Sequence, residues 1–260
     1  MKEIKRYLES RIGNYGFYFE DLNSGFIYGY NEHKEMTAAG CMKMFIAVSL
    51  VKAVEENKVD FMDKILIKRE ERVYGTGIIH EFNEREYTIF ELLVAMLIQS
   101  DNTAANKIID ILGMDRINSD IREMNLKNTF LNRKTRDERN PTNNVENITS
   151  AYDLACLWKI LYRGKYLKKD DGIMIIDILT KQQIKNKMSL YVPDDLKIEI
   201  SSKTGDKKGV ENDTELIRLD KGSFSATILS EGIPNSVYGI ITLAKSGKML
   251  LDNIITNWSW

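Results

Sequence analysis

Cysteine is scarce in these 260 residues: only Cys41 and Cys156 occur. Two thiols cannot form the framework of paired cysteines that staples a small secreted domain. Each lies in an apolar helical stretch, the usual setting of a free, buried thiol. Histidine is equally scarce, and His33 and His80 stand far apart without ligand spacing. No metal site and no cofactor are therefore expected. No run of about 18 apolar residues exists, so no membrane span is expected. A surplus of either charge is missing as well, since 37 Lys and Arg face 38 Asp and Glu. Without a basic excess to neutralise phosphates, nucleic acid is not the main partner. The N-terminus, Met1 to Glu9, reads as a charged amphipathic helix. It lacks the apolar core and small-residue cleavage site of a signal peptide. The expected location is cytoplasmic, unless a leader was removed.

What is present suits an ordinary globular protein: hydrophobic residues make up 43% and charged residues 29%. Tyr15 to Glu20 and Phe26 to Tyr30 are aromatic-rich strands joined by the turn Asp21-Leu22-Asn23-Ser24-Gly25, a β-hairpin. Asp60 to Lys68 reads as an extended connection, and Gly75-Thr76-Gly77 as a loop. Thr88 and Glu91 make a capping box that opens an apolar helix over 89–99. Asp101 or Asn102 caps the next helix, 103–112, which Gly113 ends. A polar, aperiodic stretch from Asn128 to Asn147 is a long loop of the kind that often carries function. Thr149 or Ser150 then caps a helix over 151–162, and another follows over 172–181. Alternation returns in three strands, 197–202, 214–219 and 223–230, with a turn over 205–212. A last helix spans about 237–258. Strands at both ends with helices between imply one sheet built from the two termini, an α/β (α+β) fold.

The chain is organised around Ala38-Ala39-Gly40-Cys41-Met42-Lys43-Met44-Phe45-Ile46-Ala47-Val48-Ser49-Leu50. Met44, Ala47, Val48 and Val51 fall at helical spacing and describe a helix buried on most of its surface. Lys43 sits in its first turn, where a cation opposes the helix dipole. Lysine is also rarely buried without a partner. An ordinary alternative is that Lys43 snorkels to the surface. A lysine that carries both costs is better explained as a base with a depressed pKa.

Two further motifs follow in order, Ser100-Asp101-Asn102 and Lys203-Thr204-Gly205. Each alone is an ordinary helix cap or strand end. A lysine opening a buried helix, then Ser-Asp-Asn, then Lys-Thr-Gly, resembles the signature of class A β-lactamases and penicillin-binding proteins over nearly the whole chain. The resemblance implies an antiparallel sheet flanked by helices, with an inserted all-helical lobe and a site between them. It implies a single domain, 1–260, with a sheet lobe of about 1–35 and 185–260 and a helical lobe of about 36–184. Lys43 then corresponds to the base or proton shuttle. Ser100 corresponds to the residue that relays a proton to the leaving nitrogen, and Asn102 to the asparagine that orients the lysine and the substrate amide. Lys203 and Thr204 correspond to strand residues that hold the substrate, and Gly205 leaves room alongside. The implied partner is a small β-lactam or peptide-like amide, bound by a monomer.

One departure outweighs these matches. The family pattern is Ser-x-x-Lys with the serine as nucleophile, and three residues before Lys43 this chain has Gly40. Gly40 keeps a backbone N–H, so an oxyanion hole can persist where acylation cannot. Cys41 is a poor substitute, since one residue turns a helical side chain by about 100°. The glutamate that activates water in class A enzymes falls near Lys134 or Thr135, neither of them an acid, with Asp137 and Glu138 close by. Asp206 follows the Lys-Thr-Gly motif directly. Asp213 falls near the place where many class A enzymes keep an arginine. Acids there disfavour an anionic substrate by about 1 kcal/mol at contact in water, which points to a ligand that carries an amine or is peptide-like. Two readings remain: a hydrolase inactivated by Ser→Gly, or a natural pseudoenzyme that binds a β-lactam, peptidoglycan fragment or peptide without turnover.

Overall fold

The computed structural model describes residues 1–135, 145–220 and 222–257. Helix α1 (Lys2–Glu9) leads into the hairpin of β1 (Asn14–Asp21) and β2 (Ile27–Tyr30), followed by the short β3 (Met36–Thr37). A single tight helical turn, Ala39–Cys41, delivers the chain into α2 (Met42–Glu55). Strands β4 (Lys64–Ile67) and β5 (Arg85–Thr88) pair with each other and precede α3 (Ile89–Ile98). Helices α4 (Asn102–Leu112) and α5 (Met114–Glu123) come next, and β6 (Ile148–Thr149) pairs with β3. Then come α6 (Ala151–Arg163) and α7 (Lys169–Thr180), strands β7 (Glu199–Lys207), β8 (Val210–Leu219) and β9 (Gly222–Glu231), and α8 (Ser236–Asn257).

The main sheet has the order β2-β1-β9-β8-β7, antiparallel throughout, so both ends of the chain build it, as expected. Alternation along β1 feeds two cores. Phe17 and Phe19 pack with Ile4, Leu8, Phe224, Leu243 and Leu250 beneath α1 and α8. Tyr18 points the other way, into the core of the intervening helices. Helix α2 runs through that second core. Its residues from Met42 to Val51 are all buried, which is the reading for a helix apolar on every face. Each fully buried large apolar side chain contributes about 1.5–3 kcal/mol, so this helix is a rigid platform for Lys43.

Local signals place the neighbouring elements. Thr88 accepts from the Glu91 amide and the Glu91 carboxylate accepts from the Thr88 amide, the expected capping box. Asp101 caps α4 and Ser150 caps α6, which settles both pairs of alternatives. Three expectations need correction. Helix α5 was not anticipated: it starts at Gly113, which also ends α4, with no capping side chain to announce it. Residues 205–207 are not a turn, because β8 pairs with β7 as far as Lys207 and keeps Gly205, Asp206 and Lys207 extended. Cys156 is half-buried rather than buried, while Cys41 is fully so.

Candidate active site

Gly40 lies in the turn that enters α2, one helical turn ahead of Lys43. Ser100 occupies the joint between α3 and α4, and its φ of +52° is in the left-handed region, unusual for a side-chain-bearing residue. Asp101 fixes that joint. Its carboxylate accepts from the amides of Ala104 at 2.9 Å, Ile78 at 2.7 Å and Ile79 at 2.9 Å. One side chain thereby caps α4 and ties down the loop carrying Thr76.

Lys43 is 3% exposed. Its ammonium donates to the carbonyl of Ser100 at 2.6 Å, to Asn102 Oδ1 at 2.8 Å and to Ser100 Oγ at 3.1 Å. Burial, followed by the charge of Lys203, pushes its pKa down to about 7. The amine thus titrates at physiological pH, as a proton carrier requires. From the other side Lys203 donates to Ser100 Oγ at 3.0 Å and to the Thr204 carbonyl at 2.8 Å. Burial lowers Lys203 as well, to about 8. Two lysines therefore flank one serine hydroxyl, and Lys43, Ser100, Asn102 and Lys203 form a single network.

The strand beyond Lys203 is pressed against the start of α2. A Cβ on Gly40 would lie 2.8 Å from the Thr204 carbonyl oxygen and 3.2 Å from Ser100 Oγ. A Cβ on Gly205 would lie 2.8 Å from the Gly40 nitrogen and 2.9 Å from both the Ala38 oxygen and the Cys41 nitrogen. The two glycines meet backbone to backbone. Thr204 is buried, and its hydroxyl has no hydrogen-bond partner. Cys41 donates its thiol to the Lys203 carbonyl, and burial pushes its pKa up to about 12. That environment suits a filler, not a nucleophile.

A cleft of about 330 Å³ opens above this network, with Gly40, Lys43, Thr76, Ser100 and Asn102 along its floor. One wall carries Arg133, Thr135 and Glu146; the other carries Asp206, Lys207 and Lys208. Glu146 bridges the walls, 3.0 Å from Arg133 and 2.5 Å from Lys207. Lys134 is ion-paired with Asp110. Thr135 exchanges hydrogen bonds with Asn106, at 2.8 and 2.9 Å, and offers no carboxylate there. Asp137 and Glu138 lie outside the described residues. Asp206 lines the cleft without a hydrogen-bond or ion-pair partner among the described residues. Asp213 does not reach the cleft. It is buried beneath the strand, where Oδ2 accepts from the Met188 amide at 3.0 Å.

Sequence reasoning passed over Thr76, whose hydroxyl donates to the Ser100 carbonyl at 3.0 Å and to Asn102 Oδ1 at 3.2 Å. Gly75 and Gly77 marked only a bend. Glu146 and the buried Lys187 were also missed, because their partners are remote in sequence. Among the described residues no group of three His, Cys, Asp or Glu could hold a metal, and no helix is long and apolar enough to cross a membrane.

Fold and site define a class, a mixed α/β protein with a Lys/Ser-Asp-Asn/Lys-Thr-Gly cleft. The family model described as the Beta-lactamase enzyme family matches residues 1–254, and the chain belongs to that family. It is 27% identical to the β-lactamase SME-1 of Serratia marcescens over 109 residues, covering 42% of this chain and 37% of that relative. The solved β-lactamase from Sphaerobacter thermophilus DSM 20745 superposes with a TM-score of 0.90 at 24% identity, over 96% of each chain. The structure of PBP-A superposes at 0.88 and 24% identity, over 98% of this chain and 95% of that one. An ancestral Gram-negative class A β-lactamase superposes at 0.88 and 19% identity, over 96% and 98%. At these identities the superpositions establish the fold.

Proposed function

We propose that this chain binds a β-lactam or peptide-like amide in the cleft, with Gly40 standing at the family's nucleophile position, and that it sustains no catalytic turnover. The observation that carries the reading is the contact of Gly40 with β7. The strand fills the space a side chain at residue 40 needs, so the closed wall is built around glycine. Asn102, Lys43 and Thr76 remain on the floor to hold an amide. Asp206 and Lys208 remain on one wall to select it. The loop presents Thr135 where a water-activating acid is needed, which argues independently against turnover.

The alternative, a serine hydrolase disabled at one position, draws support from the intact network of Lys43, Ser100, Asn102 and Lys203. PBP-A has been solved as an acyl-enzyme with penicillin G, which makes that compound the first ligand to try. Titration calorimetry of the unaltered chain with penicillin G and with an aminoacyl amide is expected to give saturable binding. Asn102→Ala is expected to weaken it at least tenfold, and hydrolysis assays are expected to show no steady state. Absence of saturable binding to either ligand overturns the reading, as does multiple turnover by the unaltered chain. Rapid multiple turnover gained by Gly40→Ser would favour the disabled hydrolase.

A further inference from the structure

We propose that Ser100 is itself an acyl acceptor in this chain: it lines the cleft with its hydroxyl between Lys43 and Lys203, and takes up a β-lactam once without releasing it. The proposal rests on the reading that β-lactams bind in this cleft, and adds a covalent step that the reading lacks.

Geometry carries it. A serine nucleophile needs a base within hydrogen-bond reach, and Ser–Lys pairs serve in that role. Lys43 Nζ is 3.1 Å from Ser100 Oγ. Lys203 Nζ lies 3.0 Å from the same oxygen on another side. A Cβ on Gly40 would lie 3.2 Å from Ser100 Oγ, so a side chain at residue 40 would stand in front of the hydroxyl. With glycine there, Ser100 forms part of the cleft floor. The joint between α3 and α4 holds the serine at φ +52°, a conformation of the kind found at sites where the surrounding structure fixes a reactive side chain. The nearby alternative, Cys41, is fully buried and bonded to the Lys203 carbonyl.

The step balances without a co-reactant. Ser100 Oγ forms a bond to the lactam carbonyl carbon while its proton passes to unprotonated Lys43. The lactam C–N bond then breaks, and the ring nitrogen takes the proton back from Lys43. Protonated Lys203 faces the charge that develops beside Oγ. The product is a seryl ester that retains the whole penicillin. Thr135, in place of an acid, leaves it unhydrolysed. Lys43 titrates near 7 and Lys203 near 8, so the rate is expected to peak between those values.

The test incubates the full-length chain with penicillin G across pH and follows intact mass, with peptide mapping of any adduct. The expected result is a gain of one penicillin mass located on Ser100, fastest near pH 7–8. Ser100→Gly is the appropriate loss variant, because glycine adopts positive φ without strain. It should abolish the adduct while keeping the thermal midpoint. Lys43→Met should slow acylation at least tenfold in protein shown to be folded by circular dichroism. Ser100→Cys should restore a penicillin-sized adduct at the same position. An adduct on any other residue overturns the proposal. So does saturable penicillin binding without a covalent adduct, which leaves the binding reading standing. Absence of both binding and adduct overturns the two together.

Discussion

Gly205 and Gly40 face each other with no room for a β-carbon on either: a Cβ on Gly205 would lie 2.8 Å from the Gly40 nitrogen, and one on Gly40 2.8 Å from the Thr204 oxygen. The obstructing atoms belong to backbone, which cannot rotate away as a side-chain tip can. Gly40→Ser is therefore an overpacking substitution as well as the return of a hydroxyl. It is expected to lower unfolding stability by about 1–3 kcal/mol and to displace β7 from the turn that enters α2. Urea denaturation and a crystal structure of the variant check both. Unchanged stability with β7 in place would show that the wall is not built around glycine.

The buried lysines should leave a signature in stability against pH. Burial lowers Lys43 from 10.5 to about 7. Between those values the unfolded chain binds more protons than the folded one, so stability rises with pH across that window and is lowest below it. Every tenfold loss of proton affinity on folding corresponds to about 1.4 kcal/mol. Asp213 runs the other way. Burial raises it from 3.8 to about 6, and stability from this group is lost as pH rises through that interval. Lys43→Met is expected to stabilise the protein more at pH near 6 than near 10, and Asp213→Asn more near 7 than near 4. Denaturation midpoints of each variant against the parent measure the two slopes. Slopes of the opposite sign would mean that the groups keep their ordinary protonation.

Much of this was legible because it is local or because it repeats a spacing. Thr88 and Glu91 are three residues apart, and their capping box formed where the sequence put it. Lys43 in an apolar helix was legible as a costly placement, and its network with Ser100 and Asn102 accounts for the cost. What escaped depends on distant partners. Asp206 and Lys207 look like turn residues until β8 pairs with them. Asp213 looked like a turn acid beside Lys207 and Lys208, yet it is buried under Met188. Nothing local announces that Lys187 and Glu211 meet, or that Gly40 and Gly205 touch. Helix α5 was missed for a different reason: its start has no capping side chain and its sequence is mostly polar.

The two thiols should react in a fixed order. Cys41 is fully buried, with its pKa raised to about 12 by burial, whereas Cys156 is half-buried, with its pKa raised to about 11. Thiolate is the reactive form, so neither labels quickly at neutral pH. Iodoacetamide is expected to modify Cys156 first, and Cys41 only on the timescale of global unfolding. Mass mapping with and without urea decides this. Early labelling of Cys41 would make it a competitor for the nucleophile role assigned to Ser100.

Lys187 is the cation that supports the floor of the site from behind. It is 2% exposed, ion-paired with Glu211 at 2.6 Å, and donates to the carbonyls of Gly205 at 3.1 Å and Asn212 at 3.2 Å. Removing one member of a buried pair strands the other charge, at a cost of about 3–5 kcal/mol, whereas replacing both with apolar residues is often close to neutral. Lys187→Met alone is therefore expected to be strongly destabilising, and Lys187→Met combined with Glu211→Leu to recover most of the loss. Because the lysine also holds the Gly205 carbonyl, the recovered double variant should still show faster hydrogen exchange at the amides of Lys203 to Lys207 than the parent does. Stability recovered with unchanged exchange would assign Lys187 to the pair alone. Faster exchange in a stable protein would mean that this buried lysine sets how tightly β7 closes on Gly40.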